Sequence, residues 1–343
     1  MKQFTIKALV LGAILLSTAG AHALAASDLQ TQVKQVDGWV AWRVPMTAEA
    51  GSPCCYVWKN KSLVDAGCDL DGQEWSFGSD DQHPLHDSTL AVYVRIAQGH
   101  VDRVRAVAAS CPVKSAHPIR WIDTVEPVQS VNLLSVWLGG AEGSPPDDDS
   151  MLAALAYHAD ASATRALAAL AEPAHTRKSR EQALFWLGQS RGADGADIIE
   201  RYATTDADPD VREKAIFALT QSHAGDPYAS IQAISRSDPA THVRSQALFW
   251  MAQMEDARAA ADITAALQSE HSDDVREQAV FALSQLKDGE AEDALIAVVR
   301  GNYPREVKKQ ALFWLGQSES PRAMQALDDV LAKSTGVAKV TGH

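Results

Sequence analysis

The chain has 343 residues, and its 31 Lys and Arg residues against 44 Asp and Glu residues give a formal net charge of −13 at pH 7. Because nucleic acids and anionic membranes repel such a chain, this charge disfavours both as partners. No stretch of ~20 apolar residues follows residue 26, so we predict no integral membrane segment in the mature protein.

Residues 1–26 have the pattern of a secretory signal peptide. Two lysines precede an almost wholly apolar stretch at residues 8–16, and small residues follow at the cleavage region up to Ala26. The apolar stretch is too short for a membrane-spanning helix. We therefore predict a cleaved signal peptide and a periplasmic or secreted protein.

Four cysteines lie in the first third of the chain, at positions 54, 55, 68 and 111. An even number of cysteines in an exported chain predicts two disulfides. Cys54 and Cys55 are adjacent, and their Cα atoms are too close for usual disulfide geometry. Two pairings stay open: Cys54–Cys68 with Cys55–Cys111, or Cys54–Cys111 with Cys55–Cys68.

Residues 27–124 are predicted to form a small β-rich domain that contains these cysteines. Residues 39–44 have strand composition, and residues 90–108 are typical of two strands joined near Gln98 and Gly99. Turns are predicted at Asp71-Gly72 and Gly78-Ser79. More than half of the nine tryptophans lie here. They either fill a core held together by disulfides or form an aromatic binding face.

An alanine recurs every 32 residues in the second part of the chain, at Ala183, Ala215, Ala247, Ala279 and Ala311. A fixed period of this length indicates stacked units, each too small to bury its own apolar face. We predict a mainly α fold, a right-handed α-solenoid of six helical hairpins over residues 125–334. Its first unit diverges around Met151, and residues 335–343 are predicted to be a disordered tail.

Large and small residues alternate strictly three positions after the repeating position. The residues are Ala154, Trp186, Ala218, Trp250, Ala282 and Trp314. The simplest interpretation is packing, in which an indole on one hairpin fills the space left by alanine on its neighbours. A ligand-binding role for the indoles is the alternative.

The pattern D-x-V-R-x-x-A-x-x-A-L, then a short break and a second helix, recurs through residues 147–333. It resembles the short HEAT repeats of the phycobilisome-lyase type. The resemblance implies that the first helix of each hairpin lines the concave surface and the second lies on the convex side. The N-terminal region, with its paired cysteines, is similar to the leader domain of some exported bacterial HEAT-repeat proteins. Bilin lyase activity, known in part of the family, is disfavoured by export and by repeats without cysteine.

Phenylalanine and glutamine recur at positions that the resemblance places in the concave groove. The phenylalanines are Phe185, Phe217, Phe249, Phe281 and Phe313. The glutamines are Gln182, Gln246, Gln278 and Gln310 at one position, where the third repeat has Lys214, and Gln189, Gln221, Gln253, Gln285 and Gln317 at another. Carboxamides can hydrogen-bond a peptide backbone, and phenylalanines supply apolar contact area. Alternatively, Phe lies in the hairpin core and Gln satisfies backbone groups between helices.

A basic residue recurs three positions before the repeating alanine, at Arg180, Arg212, Arg244, Arg276 and Lys308. A phosphate-binding row is conceivable. Nearby acidic residues favour structural ion pairs instead. The expected partners are Asp208, Asp210, Asp273, Asp274 and Glu306.

Chemistry-bearing motifs are sparse in this sequence. His83 and His86, beside three aspartates, form a weak candidate metal site. The motifs of serine hydrolases, zinc proteases and nucleotide-binding enzymes are missing. We therefore predict a non-enzymatic exported scaffold without a cofactor, whose groove holds a protein or peptide. The alternatives are an enzyme that uses a metal at the N-terminal domain and a self-assembling structural module.

Overall fold

A computed structural model describes most of the chain between residues 29 and 334. The described ranges are 29–51, 53–59, 62–65, 67–72, 77–78, 87–139, 148–222, 224–287, 289–318 and 320–334. The predicted signal peptide, the predicted tail, His83 and His86 lie outside them. None of the helices in these ranges is long and apolar enough to cross a membrane.

The N-terminal region contains a short helix, α1 (residues 29–34), and nine strands within the described residues. The strands are β1 (Gly38–Pro45), β2 (Cys54–Lys59), β3 (Ser62–Asp65), β4 (Cys68–Asp69), β5 (Phe77–Gly78), β6 (Thr89–Ala97), β7 (His100–Ala108), β8 (Val113–Lys114) and β9 (Ile119–Trp121). The main sheet has the order β7-β6-β1-β9, and β9 is parallel to β1. The predicted β-rich domain is confirmed.

The hairpin of β6 and β7 turns where the sequence predicts it. Gln98 and Gly99 both have positive φ, 54° and 79°, as a tight turn with the twist of the flanking strands requires. Predicted strand 39–44 corresponds to β1. Of the predicted turn at Gly78-Ser79, Gly78 is the last residue of β5 and pairs with Cys54 of β2, and Ser79 lies outside the described residues. That pairing joins residues far apart in sequence, so the local turn pattern could not reveal it.

Two disulfides and two tryptophans hold the N-terminal domain together. The disulfides are Cys54–Cys111 and Cys55–Cys68, with Cα–Cα distances of 5.7 and 5.1 Å, which is the second of the two predicted pairings. Trp39 and Trp42 are almost completely buried. The core interpretation is therefore confirmed for these two residues.

Helix α2 (Pro127–Leu138) follows the domain, and six consecutive hairpins then form the solenoid of the described chain. Their helices are α3 (Asp148–Tyr157), α4 (Ala161–Leu170), α5 (Arg177–Ser190), α6 (Gly192–Thr205), α7 (Pro209–Thr220), α8 (Pro227–Ser237), α9 (Thr241–Gln253), α10 (Ala259–Ser269), α11 (Asp273–Ser284), α12 (Glu290–Arg300), α13 (Arg305–Gln317) and α14 (Pro321–Ser334). All five repeating alanines are fully buried. The predicted solenoid of hairpins is thus confirmed.

The first helices of the hairpins, α3, α5, α7, α9, α11 and α13, line the inner side of the stack. Successive first helices pack closely on one another, whereas successive second helices touch much less. In a curved stack the elements on the concave side are the closer ones. The first helices therefore form the walls of the groove.

The N-terminal domain closes the first end of the solenoid. Strand β7 and helix α5 both pack on α3, and every residue from Met151 to Tyr157 is buried. The chain after β1 crosses this helix, where the Thr47 N–H donates to the carbonyl oxygen of Tyr157 at 2.9 Å. The domain and the solenoid share one hydrophobic core. The domain therefore covers the first helix of the first repeat.

The groove as the candidate functional site

An unbroken row of aromatic rings runs along the groove, and we call it the aromatic ladder. In order it contains Tyr157, Trp186, Phe185, Phe217, Trp250, Phe249, Phe281, Trp314 and Phe313. Neighbouring ring centroids are between 5.1 and 6.3 Å apart. These distances are typical of favourable aromatic contacts. The four phenylalanines before Phe313 are half-buried, so they both pack and face the groove.

The interfaces between successive first helices are of two kinds. At α5–α7 and α9–α11 the phenylalanines stack nearly parallel, with interplanar angles of 12° and 3°. At α7–α9 and α11–α13 an indole lies on the phenylalanine of the preceding repeat, with centroids 5.1 and 5.3 Å apart. We call the first kind close interfaces and the second kind indole interfaces. The alternation of Trp and Ala in the sequence thus corresponds to an alternation of interfaces.

The close interfaces depend on small residues. A methyl group on Gly188 would lie only 2.4 Å from the carbonyl oxygen of Ala218, so α5 and α7 approach backbone to backbone. Ala252 occupies the equivalent position in α9 and is buried. At the indole interfaces this position holds Thr220 or Ser284. Alanine in the third and fifth repeats therefore permits close approach, and tryptophan in the fourth and sixth keeps the helices farther apart.

At the first predicted position, some glutamine side chains form hydrogen bonds within the protein and others do not. Gln182 donates to Asp149, and Gln246 donates to Glu213 at 3.3 Å. Gln278 is exposed. The side-chain oxygen of Gln310 is enclosed and has no hydrogen-bond partner among the described residues.

The glutamines of the second position divide in the same way. Gln189 donates to the Oε1 atom of Gln221 at 3.0 Å, so this bond joins two side chains and does not satisfy a backbone group. Gln253, Gln285 and Gln317 are exposed. At this position the more exposed amides therefore lie towards the C-terminal end of the solenoid.

A cavity of about 890 Å³ opens in the groove between α9, α11 and α13. Its aromatic side is formed by Phe249, Phe281 and Trp314. Its acidic side is formed by Glu213, Asp274 and Glu277, and its amide groups by Gln246, Gln278 and Gln310. His242 is the only basic side chain that lines it among the described residues. Sequence inspection did not group these carboxylates, because Glu213 belongs to α7 whereas Asp274 and Glu277 belong to α11.

The recurring arginines form buried ion pairs outside the groove. The pairs are Arg180 with Asp206, Arg212 with Asp238 at 2.7 and 2.8 Å, and Arg244 with Glu270 at 2.9 and 3.1 Å. Each acid lies 26 residues after its arginine, at the end of the second helix of the same hairpin. The structural interpretation is confirmed, but the expected partners are wrong except for Asp273, which pairs with Arg276 at 2.8 Å. Asp208 and Asp210 bind Arg177 instead.

The electrostatics of Glu270 show how strong these pairs are. Burial alone would raise the pKa of this carboxyl group. Hydrogen bonds from Arg244 and from the backbone N–H groups of Ser272 and His271 outweigh burial and lower the pKa to about 2. The recurring arginines are therefore occupied and do not offer a phosphate-binding row.

One group of side chains that could hold a metal ion is found in the part of the chain that the structure describes. The single group of metal-ligating side chains there consists of Cys54, Cys68 and Cys111, all of which are in disulfides. The candidate site at His83 and His86 lies outside the described residues.

Comparison with known proteins identifies the type of repeat. Residues 229–312 match the HEAT repeats family. A search of the curated proteins found no significant match. The HEAT-repeat solenoid, which the sequence pattern suggested, is therefore supported by a family match inside the repeat region.

Solved structures with a similar fold have different activities. Human deoxyhypusine hydroxylase in complex with glycerol is 17% identical, with a TM-score of 0.26, 59% of this chain covered and 77% of that one. Kap121p is 14% identical with a TM-score of 0.40, and the match covers 62% of this chain and 28% of that one. The complex of CpcE and CpcF of phycocyanin lyase from Nostoc sp. PCC7120 is 16% identical with a TM-score of 0.33, covering 66% and 95%. These similarities concern the fold alone.

Proposed function

We propose that this protein is a non-enzymatic, exported HEAT-repeat scaffold that binds a protein partner in its groove. The groove binds an extended segment of that partner, and the segment carries basic and apolar side chains. The single observation that carries this proposal is the cavity between α9, α11 and α13, whose lining contains three carboxylates and three aromatic rings.

The aromatic side of the cavity supports an apolar and cationic ligand. Phe249, Phe281 and Trp314 offer aromatic area against which apolar side chains can be buried. The faces of aromatic rings also attract Lys and Arg side chains within about 6 Å. Asp274 and Glu277 line the same cavity as these rings, so their negative charges also favour a cationic ligand there.

The polar groups of α13 support a ligand with a peptide backbone. The Nε1 atom of Trp314 and the Oε1 atom of Gln310 are enclosed and have no partner among the described residues. An unsatisfied buried polar group costs about 1–3 kcal/mol. After a small side-chain rotation on binding, the Nε1–H of Trp314 would donate to a carbonyl oxygen of the ligand. The Oε1 atom of Gln310 would accept from an N–H group of the ligand. An extended backbone supplies both.

The test uses fluorescent 12-residue peptides with the repeating sequences Lys-Phe-Ser, Glu-Phe-Ser and Lys-Ser-Ser, whose binding to the full chain is measured by anisotropy. The Lys-Phe-Ser peptide should bind at least tenfold more tightly than the other two. The Glu277→Lys variant should lose this preference because it reverses one charge of the cavity. Glu290→Lys, on the second helix α12, makes the same change outside the groove and should bind like the wild type. Equal affinity for all three peptides would contradict the proposal.

A further inference from the structure

The sixth repeat carries the same cassette as the second repeat, but no following first helix packs on it in the described ranges. Residues 182–190 and 310–318 are identical in sequence. In the second repeat this cassette packs on α7 through a close interface. In the sixth repeat no helix up to residue 334 packs on the equivalent surface of α13, which we call the terminal face and which comprises Arg305, Leu312, Phe313 and Gly316.

The burial of equivalent residues shows what the terminal face lacks. Leu184 is fully buried, whereas its equivalent Leu312 is only half-buried. Phe185 stacks on Phe217, whereas Phe313 is 56% exposed. The comparison indicates a helix-binding surface that nothing in the described chain covers.

The glycine of the cassette determines how closely another helix can pack on the terminal face. A methyl group on Gly188 would collide with the backbone of Ala218. A methyl group on Gly316 would have no atom within 4 Å. Gly316 therefore leaves room for a helix backbone at a close interface, opposite a residue as small as Ala218.

The terminal face contains one basic residue, Arg305, whose equivalent in the second repeat forms ion pairs with the next helix. Arg177 of α5 binds Asp208 and Asp210, which start α7, and its Nε–Oδ2 distance to Asp208 is 2.7 Å. Arg305 has the same position in the sixth repeat. It is exposed, and no ion pair is observed for it among the described residues. A carboxylate in the first turn of an incoming helix would complement this guanidinium group.

A second copy of this chain does not offer such a helix in its described part. The α7-type helices, α7 and α11, are enclosed on both sides by α5, α9 and α13. Helix α3, which also has alanine at the alternating position, is covered by β7 and α5.

We infer that the terminal face binds an α-helix of a different protein, oriented on α13 as α7 is on α5. The helix has the chemistry of α7. It carries a carboxylate in its first turn for Arg305, an aromatic ring for Phe313, and alanine or glycine opposite Gly316. This site is separate from the groove and does not depend on what the groove binds.

The experiment uses a fluorescent synthetic peptide of residues 207–237, which contains α7 and α8, and the full chain as receptor. Anisotropy should show saturable binding, which Gly316→Leu weakens at least tenfold because the leucine fills the space for the helix backbone. Gln317→Leu places the same side chain one residue further along α13 and should bind like the wild type. Arg305→Glu should also weaken binding, and a peptide with Asp208 and Asp210 replaced by Arg should restore it.

The outcomes separate this site from the groove. Peptide binding that is unchanged in Gly316→Leu, or absent altogether, overturns the inference. A wild-type dimer in sedimentation that Gly316→Leu dissociates would also overturn it, because a second copy would then cover the face. The groove variant Glu277→Lys should leave the affinity for this peptide unchanged, so failure of the groove proposal cannot be confused with failure here.

Discussion

Gly188 and Gly316 occupy the same position in identical cassettes, yet their surroundings differ completely. Gly188 is in contact with the backbone of the next helix, and Gly316 faces open space. Sequence alone assigns both residues the same role. It predicts the position of a glycine in the repeat, but whether a helix packs against that glycine depends on the position of the repeat in the stack.

Alanine at these two positions should therefore have opposite effects on stability. Gly316→Ala should raise the free energy of unfolding by about 0.5–1 kcal/mol, because alanine favours the helix and nothing obstructs its methyl group. Gly188→Ala should lower it by about 1–3 kcal/mol, because the methyl group forces α5 away from α7. Urea denaturation of both variants is the measurement. Equal changes of the unfolding free energy in the same direction would show that the close interface accommodates the added methyl group without loss of stability.

At the scale of elements, one buried hydrogen-bond chain connects β1, α2 and the end of α3. The Nε1–H of Trp42 donates to Ser130 Oγ at 2.7 Å, Ser130 Oγ lies 2.8 Å from Nε2 of His158, and Nδ1 of His158 lies 2.7 Å from the carbonyl oxygen of Ala154. All three hydrogen bonds form when the hydroxyl of Ser130 donates to Nε2 of a neutral His158 imidazole. Nδ1 of that imidazole then carries the proton and donates to Ala154. Burial, which is the main cause, and the charge of Arg191 lower the pKa of His158 to about 4.

Stability should therefore fall as the pH falls from about 6.5 to 4. In this range the unfolded chain binds a proton at His158 and the folded chain does not, so protons favour unfolding. A pKa difference of about 2.5 units corresponds to about 3 kcal/mol at most. Unfolding free energies at pH 7, 5.5 and 4.5 are the measurement. His158→Gln should flatten this dependence, and the exposed control His271→Gln should not; equal slopes in all three proteins would contradict the assignment.

The sequence predicts elements well where the signal is local. The β6–β7 turn at Gln98-Gly99 and the strand at 39–44 follow from residue type and alternation. The arginine partners do not, because Asp238 lies 26 residues after Arg212 and reaches it only when the hairpin closes. The common location of the cavity's carboxylates is missed for the same reason, since Glu213 of α7 lines one cavity with Asp274 and Glu277 of α11 only in the stack.

At the scale of the whole molecule, the repeating unit of the structure is a pair of hairpins. Close and indole interfaces alternate from α5 to α13, so the pattern returns after two periods of 32 residues. The sequence shows this double period in its Trp and Ala residues, but not which interface is the closer one. The contacts of Gly188 with Ala218 supply that answer.

Deleting one repeat should therefore be more harmful than deleting two. Removal of residues 209–240 would bring α5 next to α9 and place Trp250 where Ala218 now meets Gly188. Removal of residues 209–272 would bring α5 next to α11, and Ala282 would then face Gly188. We expect the longer deletion to have the higher melting temperature by circular dichroism, because it keeps a close interface. A loss of stability in proportion to the number of repeats removed would contradict this.

The double period also has a consequence for how such a gene changes length. Duplication of a single hairpin would join two interfaces of the wrong kind, whereas duplication of a pair would join interfaces that already fit. The identical cassettes at residues 182–190 and 310–318 are separated by four periods, an even number. Duplications and deletions in the gene should therefore add or remove two hairpins at a time. Natural length variants that still fold should differ by even numbers of repeats.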